Sequence, residues 1–230
     1  MQAALETLSR RLAEVRERIA RSCARAQRDP AGITLLAVTK VFPATVIHEA
    51  YTLGLREFGE NYVQEFESKA PSLRSFTGAR FHLIGHLQSN KSRKAVELFD
   101  SIQTVDSPRL AERLNQAARE SGGKTLDTML EAKLSPEQSK SGASPEELPE
   151  LIAAVRECPN LRLLGLMTMP PWSDDPEAGR PYFRRLRELA ARHGLPQLSM
   201  GMSHDLETAI EEGSTCVRVG TALFGKRIKN

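Results

Sequence analysis

The chain has 230 residues, 40% hydrophobic and 27% charged, which is enough apolar content to bury a core and excludes a disordered tail. Lys and Arg total 32 against 29 Asp and Glu, and the resulting net charge of +3 is too weak to indicate nucleic acid as a partner. Apolar runs such as residues 35–38 and 151–155 are far shorter than a membrane span.

The chain begins MQAALETLSRRL, without the apolar stretch of a secretory signal. Residues 3–28 read as one helix, because Leu5, Leu8, Leu12, Val15 and Ile19 recur at steps of three and four. Seven arginines lie between Arg10 and Arg28; Glu14 and Glu17 interrupt them, which favours a solvated face over a basic arm for RNA or membrane. Asp29-Pro30 ends the helix. Strand and helix then alternate. Residues 33–39 predict a buried strand, and a helix runs from Pro43 to Gly54. A strand over 57–61 precedes a helix over 62–70, and a strand over 80–85 precedes a helix over 91–99. Strands over 101–105 and 126–134 lead into helices from Pro108 and Pro145. Strands over 161–169 and 198–202 lead into helices that end at Gly194 and Gly213. A last strand over 216–220 opens a short closing helix, and polar residues 135–144 read as a mobile loop.

Eight β-α units after a leading helix predict an α/β fold: a single (β/α)₈ TIM barrel over 31–230, with an extra N-terminal helix over 1–30. The alternative, an open doubly wound sheet, calls for a Gly-rich loop after the first strand, where this sequence reads TKVFP. Cys23, Cys158 and Cys216 lie far apart with no CxxC, which points to a reducing compartment and away from disulfides or zinc.

Barrel sites use the C-terminal ends of strands. Lys40 ends the first strand beside an apolar run, where the charged amine is disfavoured and Schiff-base chemistry becomes accessible. Taken alone it reads equally well as a surface lysine. Asn61, His86 and Met167 sit at three other strand ends, and none is decisive singly. LSMGMSHD places Ser199 and Ser203 around the seventh strand end, with Ser203 a natural N-cap for the helix that follows. VRVGTALFG places Gly220 and Thr221 at the eighth. Small residues, hydroxyls and two helix N-termini there favour a phosphate cradle over simple capping. A reactive lysine facing a phosphate cradle suggests pyridoxal 5′-phosphate, held as a Schiff base to Lys40. Arg218, two residues before Gly220, points into the barrel, where it can face the pyridine nitrogen and keep it unprotonated.

AVTK, FGENYVQE, FHLIGHLQSNK, GLMTMP, LSMGMSHD and VRVGTALFG together resemble the pyridoxal phosphate homeostasis protein family, a barrel similar to the N-terminal half of alanine racemase. The resemblance runs from Ile33 to Lys226. It implies that Lys40 is the Schiff-base residue and that Asn61, His86 and Met167 line the cofactor. It also implies that Ser203, Gly220 and Thr221 hold the phosphate with Ser199 nearby, and that Arg218 faces the ring nitrogen. Members often carry a second lysine where this chain has Phe42, and Lys140 matches a lysine of the family's mobile loop. The expected protein is a cytoplasmic monomer that buffers pyridoxal 5′-phosphate or delivers it to apo-enzymes, without robust turnover and without nucleic-acid or membrane partners. A racemase is the rival reading, and a Schiff-base aldolase a third. A racemase needs a second base. Its relatives take one from a separate domain, whereas this chain ends ten residues after Gly220 and offers only Tyr62 near a strand end.

Overall fold

The computed structural model describes residues 2–135 and 141–225, with the side chains of 2–4 omitted. Eight parallel strands close into a barrel in sequence order: β1 (Thr34–Val38), β2 (Glu57–Glu60), β3 (Arg80–Leu83), β4 (Ser101–Val105), β5 (Leu126–Glu131), β6 (Leu161–Met167), β7 (Gln197–Met202) and β8 (Cys216–Val219). β8 pairs back onto β1 through Leu36 and Arg218, which excludes the open sheet. The helices are α1 (Gln2–Arg25), α2 (Ala44–Thr52), α3 (Val63–Lys69), α4 (Ser92–Leu98), α5 (Pro108–Glu120), α6 (Leu148–Arg156), α7 (Arg180–Arg192), α8 (Leu206–Glu211) and α9 (Thr221–Phe224).

Gly54, Gly122, Gly194 and Gly213 all take positive φ just after a helix, the left-handed stop that their positions predict. Strand ends differ from the predicted ones. Residues 39, 61, 84–85, 132–134, 168–169 and 220 lie beyond the strands, because the chain leaves the sheet early to shape the mouth. Pro145 does not start α6; Pro149 occupies its first turn. The helix predicted to end at Gly194 divides into a short 3-10 turn from Pro176 and α7.

The stripe of α1 is buried at Leu8, Leu12, Val15 and Ile19. Its arginines are more than a solvated face. Arg18 donates to Glu207 at 2.6 Å and to the Ser203 carbonyl at 3.0 Å, Arg25 donates to Glu211 at 2.7 Å, and Arg28 donates to the Ile210 carbonyl at 2.7 Å. The basic face therefore docks α1 onto α8 and the loop before it. The acids that balance it lie some 185 residues further on, out of reach of local charge patterning. The three cysteines are buried and free. Among the described residues, no helix is long and apolar enough to cross a membrane, and no cluster of side chains could hold a metal.

Candidate cofactor site

The C-terminal mouth of the barrel holds a cavity of about 200 Å³. Six of the predicted residues line it: Lys40, Asn61, Ser203, Arg218, Gly220 and Thr221. Lys40 stands two residues past β1 in a turn whose next residue, Val41, has φ of 62°. Asn61 follows β2, and its Oδ1 is buried with no hydrogen-bond partner. Such an acceptor is a cost unless a ligand donor meets it.

Ser203 does not cap α8. Asp205 occupies that position, and its carboxylate accepts the Met202 N–H at 2.6 Å. The Ser203 hydroxyl instead accepts from the Gly220 and Ala222 amides, both at 3.2 Å, and so caps α9 from the neighbouring strand end. Part of the predicted anion cradle is thus already satisfied by a serine oxygen.

Ser199, Met167 and His86 lie elsewhere. Ser199 and Met167 are fully buried below the mouth, on neighbouring strands in register with each other. Ser199, expected near the phosphate, does not line the cavity. It accepts from Arg218 Nη1 at 2.7 Å and donates to Gln103 Oε1 at 2.6 Å. His86 is half exposed on the rim, with Nδ1 3.6 Å from Asp106 Oδ2. Lys140 lies outside the described residues. Phe42, in the place of the family's second lysine, packs its ring 5.3 Å from that of Phe224 on α9.

Arg218 is buried at 4% exposure and held rigidly: Nη1 also donates to the Ser199 carbonyl at 2.6 Å, and Nη2 donates to the Thr168 carbonyl at 2.8 Å. Burial pulls its guanidinium below the ordinary arginine range, with Cys216, Asp205 and Glu131 opposing. An arginine remains a cation even so, and offers donors only. Below it a polar column continues down the barrel. Gln103 Nε2 donates to His82 Nδ1 at 3.2 Å, and His82 Nε2 bonds Glu57 at the opposite mouth. Glu131, buried at the end of β5, is pushed above the usual carboxylate range by desolvation, partly offset by a bond from Ser141.

The family model described as the alanine racemase N-terminal domain matches residues 11–227. A pyridoxal phosphate homeostasis protein of Pseudomonas aeruginosa is 46% identical over 225 residues, 97% of each chain. One of Escherichia coli K12 is 45% identical over 230 residues, 97% of this chain and 98% of that one. The chain belongs to the pyridoxal phosphate homeostasis protein family. Among solved structures, PipY of Synechococcus elongatus, determined with PLP bound, is 39% identical at a TM-score of 0.84, covering 95% of this chain and all of that one. The alanine racemase of Corynebacterium glutamicum shares the fold alone, at 19% identity and a TM-score of 0.72, with 61% of its length covered.

In this member of the family, sequence reasoning missed the cavity's apolar wall: Val38, Ile84, Met169, Met202 and Trp172, the last 72% exposed, with His204 beside it. The indole of Trp172 lies 5.2 Å from the His204 ring, and His204 Nε2 is 3.0 Å from the Asp174 carbonyl. Gly85 is a second missed residue. A Cβ there would stand 2.3 Å from the Asn61 carbonyl oxygen, so the backbone of Asn61 would have to move. Gly85→Ala is expected to cost about 1–3 kcal/mol by overpacking. Urea unfolding reads that loss, and weaker ligand binding should accompany it because Asn61 shifts. Unchanged stability and binding would show that Asn61 is free to move.

Proposed function

We propose that the chain binds pyridoxal 5′-phosphate in this mouth, holds it covalently at Lys40, and serves to buffer or deliver it without robust turnover of its own. The observation that carries the reading is that Lys40 and the Ser203–Gly220–Thr221 cradle face one cavity. The orphaned Asn61 Oδ1 supports it, since the cofactor carries a ring hydroxyl able to donate. When bound, the cofactor supplies an aldehyde, which a neutral lysine amine captures with loss of water.

This chain's residues do the rest. Ser203, fixed by two amides, keeps its hydroxyl hydrogen to donate to a phosphate oxygen, and Thr221 adds a second hydroxyl. Arg218 presents only N–H donors, so a ring nitrogen facing it stays an unprotonated acceptor. Met169 and Trp172 contribute apolar lining to the cavity. His86, Met167 and Ser199, implied by resemblance, act around the site: His86 at the rim, Met167 in the supporting layer, and Ser199 through Arg218.

Titration of the purified protein with pyridoxal 5′-phosphate tests this. A visible absorption band should develop, and phosphate-free pyridoxal should bind far less tightly. Ser203→Ala and Thr221→Val should each weaken retention by about 1.5–3 kcal/mol, the worth of a hydrogen bond to a charged group, without moving the band. Equal retention by both variants would place the phosphate elsewhere.

A further inference from the structure

We propose that Glu60, Lys69 and Glu65 form an ionic clamp that positions Lys40, so that all three are positioning residues for covalent capture of the cofactor; this rests on the function proposed above. Lys40 is carried on a turn whose two flanking residues are both held by this cluster. Before it, the Thr39 hydroxyl donates to Glu60 Oε1 at 2.7 Å, and the Thr39 carbonyl accepts from Lys69 Nζ at 3.1 Å. After it, the Val41 N–H donates to Glu65 Oε1 at 2.5 Å. Lys69 joins the two halves, donating to Glu60 at 3.0 Å and to Glu65 at 2.6 Å.

The cluster has features that packing alone does not require. Glu60 is fully buried at the end of β2, and its Oε2 has no hydrogen-bond partner. Lys69 is 7% exposed, so a buried acid and a buried base sit where apolar side chains would be less costly. Val41 is β-branched yet takes φ of 62°, a conformation that persists only where its surroundings enforce it. The enforcing contact is the Glu65 bond to the Val41 amide. Glu65, on α3, and Glu60, on β2, thus fix the direction of a turn that belongs to β1. A loose turn would let the Lys40 side chain sample orientations away from the cavity, and capture demands a fixed one. Asn61, the residue after Glu60, lines the same cavity, so the end of β2 contributes both a wall and the support for the lysine.

The experiment separates positioning from folding by using two ligands. Pyridoxal 5′-phosphate reports covalent capture through its visible band and through borohydride-trapped Lys40. Pyridoxine 5′-phosphate, an alcohol with no aldehyde, reports the rest of the site through quenching of Trp172, the single tryptophan of the chain. Glu65→Ala should lower the equilibrium constant for capture by about tenfold or more, the worth of one bond to a charged group, with affinity for the alcohol unchanged. Glu65→Gln retains an oxygen that can accept the Val41 N–H, and should recover most of the loss. Glu60→Met, which keeps the side chain's length but offers no acceptor to Thr39 or Lys69, serves as a second variant, with a thermal melt to verify folding, and should behave as Glu65→Ala does. Parent-like capture in both Glu65→Ala and Glu60→Met overturns the clamp while leaving the cofactor reading intact. A parallel fall in capture and in alcohol binding also overturns it, by showing a general structural role. A parent chain that binds the alcohol but never traps at Lys40 refutes covalent capture at Lys40 and the clamp with it.

Discussion

Lys40→Ala is expected to abolish the visible band completely when pyridoxal 5′-phosphate is added. Among the described residues lining the cavity, Lys40 is the one lysine, and it shares the cavity with Ser203 and Thr221. Covalent capture has no substitute there, whereas the phosphate contacts survive the substitution. The variant should therefore still quench Trp172 on binding the cofactor non-covalently. Borohydride reduction of the parent, followed by peptide mapping, should place the adduct on Lys40. A band that persists in Lys40→Ala, with the adduct on Lys140, would move the reactive amine to the loop after β5 and sink the proposal.

The second large effect is an expected near-absence of amino-acid racemisation by the loaded protein. Inverting a Cα requires a base on each face. Lys40 serves one face. Tyr62, the candidate for the other from sequence, is 58% exposed and does not line the cavity. His204 does line it, and donation from Nε2 to the Asp174 carbonyl leaves Nδ1 as an acceptor, so it is the better internal candidate. A misplaced base costs about 10²–10⁴-fold. Arg218 facing the ring nitrogen, as proposed above, would add a second deficit by leaving that nitrogen unprotonated, and each 1.36 kcal/mol so lost is about tenfold in rate. The measurement is incubation with L-alanine in deuterated water. Deuterium entering Cα with retention fits exchange on one face and leaves the reading in place. Rapid appearance of the D-isomer, lost in His204→Gln or Tyr62→Phe, would make the chain a racemase.

The residues legible in advance were those whose signal is local. Eight strands could be counted because apolar runs and helical periodicity repeat within a dozen residues, and Gly54 and Gly194 mark helix stops by a conformation that glycine tolerates best. Lys40, Ser203 and Gly220 stood out because strand ends of a barrel converge on one mouth. What escaped the sequence depended on partners far away along the chain. Ser203 looked like a cap for the helix beside it, yet it caps α9 through amides 17 and 19 residues on. Ser199 read as a cradle residue because alternation along a strand gives a face but no depth. In the closed barrel it lies one layer down and holds Arg218 instead.

By itself, then, the sequence determined the order and number of elements, the closed-barrel architecture and the chemical types gathered at its mouth, since propensity, capping and patterning act over one or two turns. Only the tertiary structure decided which groups meet. The docking of α1 through Arg18, the column from Arg218 to Glu57 and the clamp around Lys40 each join side chains from separate elements. Burial then makes those meetings matter, because a polar group removed from water must find its partner in the fold or remain unpaired, as Glu60 Oε2 and Asn61 Oδ1 do.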